Sequence, residues 1–278
     1  LNGSNGFTVF GDSQREELGY SVSSAGDFNG DGFDDLLIGA PSLSALNGNP
    51  GQAFLVFGSE SIASNGFIPT FSLRNSVGVE IVNEGSSNAK FGQSVTSLGD
   101  INDDGFDDIL IGASNTTGST SNSGTAYVVL GTSATQADGQ FSTSDLNGNN
   151  GFVINGISSS DEAGFQVASG GDINGDGIDD FLISATGADV NNNDSGSIYV
   201  IYGSDRLADN ASFDLNSLNS SEGFVVSGLN TNDRIGESID IAGDLNGDGF
   251  DDIVIGSSAA NSNAGESYVI YGNDFNPD

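Results

Sequence analysis

Apolar and small polar residues alternate in "YSVSSAGD" (20–27) and "QSVTSLGD" (93–100), a period of two that predicts strands buried on one face. Nine residues after each of these come the unbroken apolar runs "LLIGAP" (36–41) and "ILIGAS" (109–114), with "FLISAT" (181–186) and "IVIGSS" (253–258) later in the chain. Such runs predict strands covered on both faces. A third kind of stretch, "GQAFLVFG" (51–58), "GTAYVVLG" (124–131), "GSIYVIYG" (196–203) and "GESYVIYG" (265–272), is rich in β-branched and aromatic residues. A fourth and weaker one reads "GFTVF" (6–10), "GVEIV" (78–82), "GFVIN" (151–155) and "GFVVS" (223–227). No stretch shows a sustained helical period.

The four kinds recur in fixed order around one acidic loop: "DFNGDGFDD" at 27, "DINDDGFDD" at 100, "DINGDGIDD" at 172 and "DLNGDGFDD" at 244. The spacings are 73, 72 and 72 residues. Each unit is thus expected to be a four-stranded antiparallel sheet, with units at about 1–73, 74–146, 147–218 and 219–278 of a single domain. Repeated four-stranded sheets fit an all-β fold, a β-propeller of four blades, in which radial packing covers both faces of every blade. A sandwich gives no reason to repeat one loop four times, and solenoid repeats are shorter. The last unit stops after its third strand while "GFTVF" precedes the first unit, so the N-terminal strand is expected to complete the last blade and close the ring. Strand addition from a neighbouring chain would satisfy the same two deficits.

A Gly stands eight residues before each loop, in Leu18-Gly19, Phe91-Gly92, Ala163-Gly164 and Ile235-Gly236, and Gly-Ala-Pro follows the first loop at 39–41. The order Phe-Gly, DxNxDGxDD, Gly-Ala-Pro resembles the FG-GAP repeat of integrin α-subunit propellers and of related bacterial secreted and surface proteins. The resemblance covers nearly the whole chain. It departs from the pattern where Leu18, Ala163 and Ile235 replace Phe and where units two to four lack the Pro.

Charge adds the chemistry. The chain has 278 residues, 39 acids and five bases (Arg15, Arg74, Lys90, Arg206 and Arg234), for a formal charge of -34. Seventeen of the thirty Asp lie in the four loops. Such a chain is a poor ligand for nucleic acid or an anionic membrane surface, and no apolar run is long enough for membrane insertion as a helix. Without Cys or His, thiolate and imidazole metal sites are excluded. Hard divalent cations remain, and Ca²⁺ takes six to eight oxygens at about 2.3–2.6 Å. In the first loop Asp27, Asn29 and Asp31 alternate toward one point, Gly32 permits the bend, Phe33 offers its carbonyl and Asp35 closes the site. The same offsets give Asp100, Asn102, Asp104, Phe106 and Asp108; Asp172, Asn174, Asp176, Ile178 and Asp180; and Asp244, Asn246, Asp248, Phe250 and Asp252. The resemblance assigns the same positions. Asp34, Asp107, Asp179 and Asp251 are expected to face solvent or cap a turn. An EF-hand is excluded because its twelfth position, a Glu, is here Ile38, Ile111, Ile183 or Ile255. Four Ca²⁺ would bring the formal charge from -34 to -26.

Catalysis has little footing: there is no His or Cys, and the obvious carboxylate pairs are taken by the metal. The expectation is a non-catalytic, calcium-binding module, secreted or on the cell surface, that meets a protein or glycan ligand in adhesion or matrix assembly. Millimolar extracellular calcium suits such loops. A lectin using Tyr127, Tyr199, Tyr202, Tyr268 and Tyr271 is one alternative, and a structural subunit self-associating through its terminal strands is another.

Overall fold

A computed structural model describes residues 1–11, 16–42, 49–62, 66–74, 77–85, 87–117, 120–133, 139–204, 207 and 210–274. Arg15 and Arg206 lie outside them. A short β1 (Thr8–Phe10) comes first. Grouped by sheet, each of the first three units runs one strand past the bounds expected above, because Gly78–Val82, Gly151–Asn155 and Gly223–Ser227 pair with the sheet before them. The first unit supplies β2 (Ser21–Gly26), β3 (Asp35–Ala40), β4 (Gln52–Val56), β5 (Phe67–Pro69) and β6 (Gly78–Val82). The second supplies β7 (Val95–Gly99), β8 (Asp108–Ala113), β9 (Thr125–Val129), β10 (Gln140–Ser142) and β11 (Gly151–Asn155). The third supplies β12 (Ala163–Gly171), β13 (Asp180–Ala185), β14 (Ser197–Ile201), β15 (Ser212–Asp214) and β16 (Gly223–Ser227). The fourth supplies β17 (Ser238–Ile241), β18 (Ile253–Ser257) and β19 (Glu266–Ile270).

The four strands expected of a unit form as antiparallel meanders: β2-β3-β4-β6, β7-β8-β9-β11 and β12-β13-β14-β16, with β17-β18-β19 as the three-stranded fourth sheet. Inner strands of consecutive sheets lie against one another, β2 on β7, β7 on β12 and β12 on β17; no comparable packing joins β17 to β2 among the described residues. Alternate residues of one strand serve two cores. Ile109 and Ile111 of β8 pack with Leu37 and Leu55 of the first unit, whereas Leu110 packs with Phe152, Phe181 and Ile183 toward the third. In β13, Leu182 packs instead with Ile253 and Ile255 of the fourth. This two-sided demand explains the unbroken apolar runs, and each such side chain contributes about 1.5–3 kcal/mol by burial.

The repeated glycines mark where units touch. Gly92 (φ 85°) donates to the Gly112 carbonyl at 3.0 Å, and a Cβ on Gly92 would come within 2.5 Å of the Gln52 carbonyl. Gly39 and Gly112 leave no room for a Cβ because the Gly92 and Gly164 carbonyls of the next unit abut them.

Two features differ from the sequence expectation. A three-residue strand of each later unit adds in parallel to the outer strand of the unit before it: β10 to β6, with Phe141 opposite Ile81, and β15 to β11, with Phe213 opposite Ile154. The N-terminal strand follows the same rule. β1 pairs in parallel with β5, Val9 opposite Ile68, and does not complete the last sheet. Phe7 and Val9 there cover Ile38, Phe54 and Val56 on the outer face of the first sheet, and that apolar contact fixes its position.

Candidate metal centres

Each acidic loop joins the first two strands of its sheet. Its bend needs positive φ at two positions, Gly30 (73°) and Gly32 (88°) in the first loop, and only Asp103 (56°) takes one of them without being Gly. The first-position carboxylate holds the bend. Asp27 accepts the N–H groups of Asp31 and Gly32, both at 2.9 Å, and Asp100, Asp172 and Asp244 accept the matching pairs at 2.8–3.1 Å. Asn29 Oδ1 accepts the same Asp31 N–H at 2.8 Å, and Asp31 Oδ1 accepts Phe33 N–H at 3.0 Å. Positions one, three and five are thereby drawn to one side of the backbone. In the other loops the Asn side chain also donates to the fifth-position Asp, as Asn102 to Asp104 (3.1 Å), Asn174 to Asp176 (3.0 Å) and Asn246 to Asp248 (2.7 Å). Of the seventh residues, Phe33, Phe106, Ile178 and Phe250, each gives its N–H to that Asp.

The ninth residue is set apart from these. Asp35, Asp108, Asp180 and Asp252 are buried at the foot of the second strand. One oxygen of each accepts the N–H of the glycine leaving the third strand: Gly58 and Gly131 at 2.8 Å, Gly203 and Gly272 at 3.0 Å. In the last three, the other oxygen accepts the N–H of the second loop residue, Ile101 (3.1 Å), Ile173 (2.8 Å) or Leu245 (2.9 Å). Asp35 Oδ2 is buried with no partner. Among the described residues no three acidic side chains are drawn together into a finished cation cage. The donor set is nonetheless all oxygen, and the unpartnered Asp35 Oδ2 belongs to it. It fits a hard cation.

Burial is the main force on Asp35, Asp108 and Asp180, with the loop's own Asp residues adding to it. Asp35 is pushed up to about 6 by burial, with Asp31 and Asp27 adding to it. Asp180 rises to about 7 with Asp176 and Asp172 beside it, and Asp108 to about 8 with Asp104 and Asp100. Backbone N–H donors oppose the shift in each. The folded chain therefore keeps protons that the unfolded chain, with carboxyls near 3.8, has released. This contribution to stability is full below about pH 4 and is lost as pH rises through about 6, 7 and 8. In chelator the melting temperature is expected to fall from pH 5 to pH 8. A flat or rising calorimetric profile would contradict this.

The eighth residue corrects the sequence reading. Asp34 is exposed, as expected, but the other three reach back onto the preceding unit. Asp107 Oδ2 accepts Asp27 N–H at 2.7 Å, and Asp251 Oδ2 accepts Asp172 N–H at 2.9 Å. Asp179 lies against Gly99, its carboxyl raised by burial and by Asp172, Asp251 and Asp107. The seventh residue joins this latch: Phe250 packs over Gly175 so closely that a Cβ there would come within 2.5 Å of the ring, and Phe106 packs likewise over Gly30. The recurring pair of Gly-Asp opening one loop and Asp-Asp closing the next was the available signal.

Arg234 ties the fourth unit to the third. Its guanidinium meets Glu162 of the third unit at 2.6 Å and Thr186 Oγ1 at 3.0 Å.

The FG-GAP repeat model matches residues 18–56, 91–129, 163–201 and 236–270, together more than half the chain. The chain belongs to the FG-GAP repeat family. Among similar proteins, integrin alpha-3 of Mus musculus is 39% identical over 93 residues, covering 34% of this chain and 8% of that protein. Integrin alpha-PS3 of Drosophila melanogaster is 29% identical over 180 residues, 65% of this chain and 14% of that protein. A phosphatidylinositol-glycan-specific phospholipase D of Dictyostelium discoideum is 29% identical over 225 residues, 77% of this chain and 22% of that protein. The FG-GAP chain thus spans less than a quarter of the length of each of these. No helix among its described residues is long and apolar enough to cross a membrane.

Proposed function

We propose that this FG-GAP chain is a non-catalytic, calcium-stabilised propeller module of the cell exterior that serves adhesion or surface and matrix assembly. The observation that carries it is one all-oxygen loop repeated four times at the same place, between the first two strands of sheets that pack face to face. Asp27, Asn29, Asp31, the Phe33 carbonyl and Asp35 would hold the ion in the first loop, and the matching residues in the other three. Bound calcium would supply positive charge where each loop has four or five Asp and no base. Kinship with integrin α chains supports the adhesive and extracellular parts. The matched fraction of the phospholipase D is too small to bring a catalytic role with it.

A glycan platform finds less support, because Tyr127, Tyr199 and Tyr202 are core residues and, of the five tyrosines, Tyr271 alone is well exposed. Calorimetric titration of chelator-stripped protein with CaCl₂ is expected to show four sites, and Asp31→Ala three. No heat and no bound calcium at millimolar concentration would overturn the reading.

A further inference from the structure

Ten Asn residues of the chain precede a Gly, and three of them, Asn29, Asn174 and Asn246, stand at the third position of an acidic loop. An Asn-Gly pair carries a chemistry of its own. The main-chain nitrogen of the Gly can attack the side-chain amide carbon of the Asn, because Gly has no Cβ to crowd the five-membered ring that forms. The attacking N–H must lose its proton, the amide oxygen must bear the charge that develops on it, and water must open the ring.

The fold separates these pairs by what receives the attacking N–H. Gly175 and Gly247 each donate to a carboxylate oxygen, Oδ1 of Asp172 and of Asp244, at 2.6 Å. Gly30 instead donates to the Asp27 main-chain carbonyl at 3.4 Å, and Gly148, in the turn before β11, to the Gly151 carbonyl at 2.9 Å. The amide oxygen is prepared alike in all four pairs. Asn174 Oδ1 accepts Asp176 N–H at 2.8 Å, Asn246 Oδ1 accepts Asp248 N–H at 2.9 Å, Asn29 Oδ1 accepts Asp31 N–H at 2.8 Å and Asn147 Oδ1 accepts Asn149 N–H at 3.0 Å. Such a donor stabilises the negative charge that the oxygen gains during attack. A carboxylate on the nucleophile is therefore what sets loops three and four apart. Asn102 of loop two is followed by Asp103, whose side chain crowds the ring, whereas Gly175 and Gly247 are exposed and open to water.

We propose that Asn174 and Asn246 are sites of self-modification. Asp172 or Asp244 takes the proton from the Gly nitrogen as its bond to the Asn Cγ forms. The bond from Cγ to Nδ2 then breaks, and Nδ2 leaves as ammonia with that proton. Water opens the resulting cyclic imide at either carbonyl, giving an aspartyl or an isoaspartyl residue. One water is consumed and one ammonia released, and nothing is oxidised or reduced. Each event turns an amide into a carboxylate, so two take the formal charge from -34 to -36. The isoaspartyl form also routes the main chain through the side-chain carbon, which lengthens the loop between its first and fifth positions. The step itself does not depend on the calcium reading. Its suppression by calcium does, because an ion held by Asp172 and Asn174 would take both the proton acceptor and the amide oxygen away from the reaction.

The test is to age the chain in EDTA at neutral pH and follow each Asn by peptide mass spectrometry with isoaspartyl labelling. Asn174 and Asn246 are expected to convert roughly tenfold faster than Asn29 or Asn147, a difference well within what a positioned proton acceptor supplies, with Asn102 slower still. Asp172→Asn should bring Asn174 down to the pace of Asn147 and leave Asn246 unchanged, so that Asn246 reports within the same molecule whether the variant is folded. Equal rates at Asn29 and Asn174, or an Asp172→Asn chain in which Asn174 converts as before, would overturn the inference. Saturating CaCl₂ is expected to slow both sites. Conversion at an unchanged pace in CaCl₂ would leave the self-modification standing and remove the calcium reading of these loops.

Discussion

Saturating calcium is expected to raise the melting temperature of this chain by roughly 18 °C over its value in EDTA. A ligand that binds only the folded state at a hundred times its dissociation constant adds about 2.7 kcal/mol per site, so four sites add about 11 kcal/mol. A chain of this length melts with an entropy of about 0.6 kcal/mol per kelvin, which converts that gain to the stated shift. The physical origin lies in the loops, where Asp27, Asp31 and Asp35 share one short segment with no basic residue, and where the carboxyl of Asp35 is raised in part by the other two. Metal binding replaces that repulsion with attraction. It would also hold Asp35, Asp108 and Asp180 ionised, so the loss of stability between pH 5 and pH 8 in EDTA is expected to shrink in calcium. Scanning calorimetry at pH 7.5 with and without chelator checks the main effect, and coincident transitions would count against it.

Much of this was legible because the repeat turns weak local signals into strong ones. One alternating stretch such as 93–100 is ambiguous, but four in the same phase, each followed by an acidic loop and an unbroken apolar run, leave little choice of strand order. The Asp, Asn, Asp positions were legible for the same reason. What was not legible depends on the next unit rather than on the loop itself. Asp107 and Asp251 look like turn residues in isolation, and only packing of sheet on sheet brings them to the backbone of Asp27 and Asp172. The strands β5, β10 and β15 are three residues long, too short for periodicity to register. Their shared signal is an apolar centre, Ile68, Phe141 or Phe213, with a Leu five residues later at 73, 146 or 218. The placement of β1 follows from theirs: once β10 is seen to join β6, "GFTVF" must join β5, because it is the same strand of an earlier sheet. Loop two shows the same dependence on a neighbour. It carries Asp103 where loops one and three carry Gly30 and Gly175, and the loop that follows it carries Ile178 where those that follow the others carry Phe106 and Phe250. A bulky ring over that position requires glycine beneath it.

The fifth and ninth carboxylates of one loop are expected to separate cleanly on substitution, although motif reading gives both the same role. Asp104→Ala removes an exposed carboxylate whose one backbone bond is to Phe106 N–H at 3.0 Å. In EDTA it should cost no more than about 1 kcal/mol. In calcium it should cost about 3 kcal/mol, because one site is lost. Asp108→Ala removes a fully buried carboxylate and leaves the Ile101 and Gly131 N–H groups without their acceptor. Each orphaned donor costs about 1–3 kcal/mol, so a loss of about 2–6 kcal/mol is expected in EDTA, with about 3 kcal/mol more in calcium, where the site is lost as well. The two N–H groups tie the start of the loop to the exit of the third strand, so Asp108 braces the sheet whether or not an ion is present. Urea unfolding of both variants under both conditions provides the four numbers. If Asp108→Ala proved as mild in EDTA as Asp104→Ala, the bracing role would fail and the ninth position would be a metal ligand alone. If Asp104→Ala were equally mild in calcium, the fifth position would not be a ligand, and the cation reading of the loop would lose its most exposed donor.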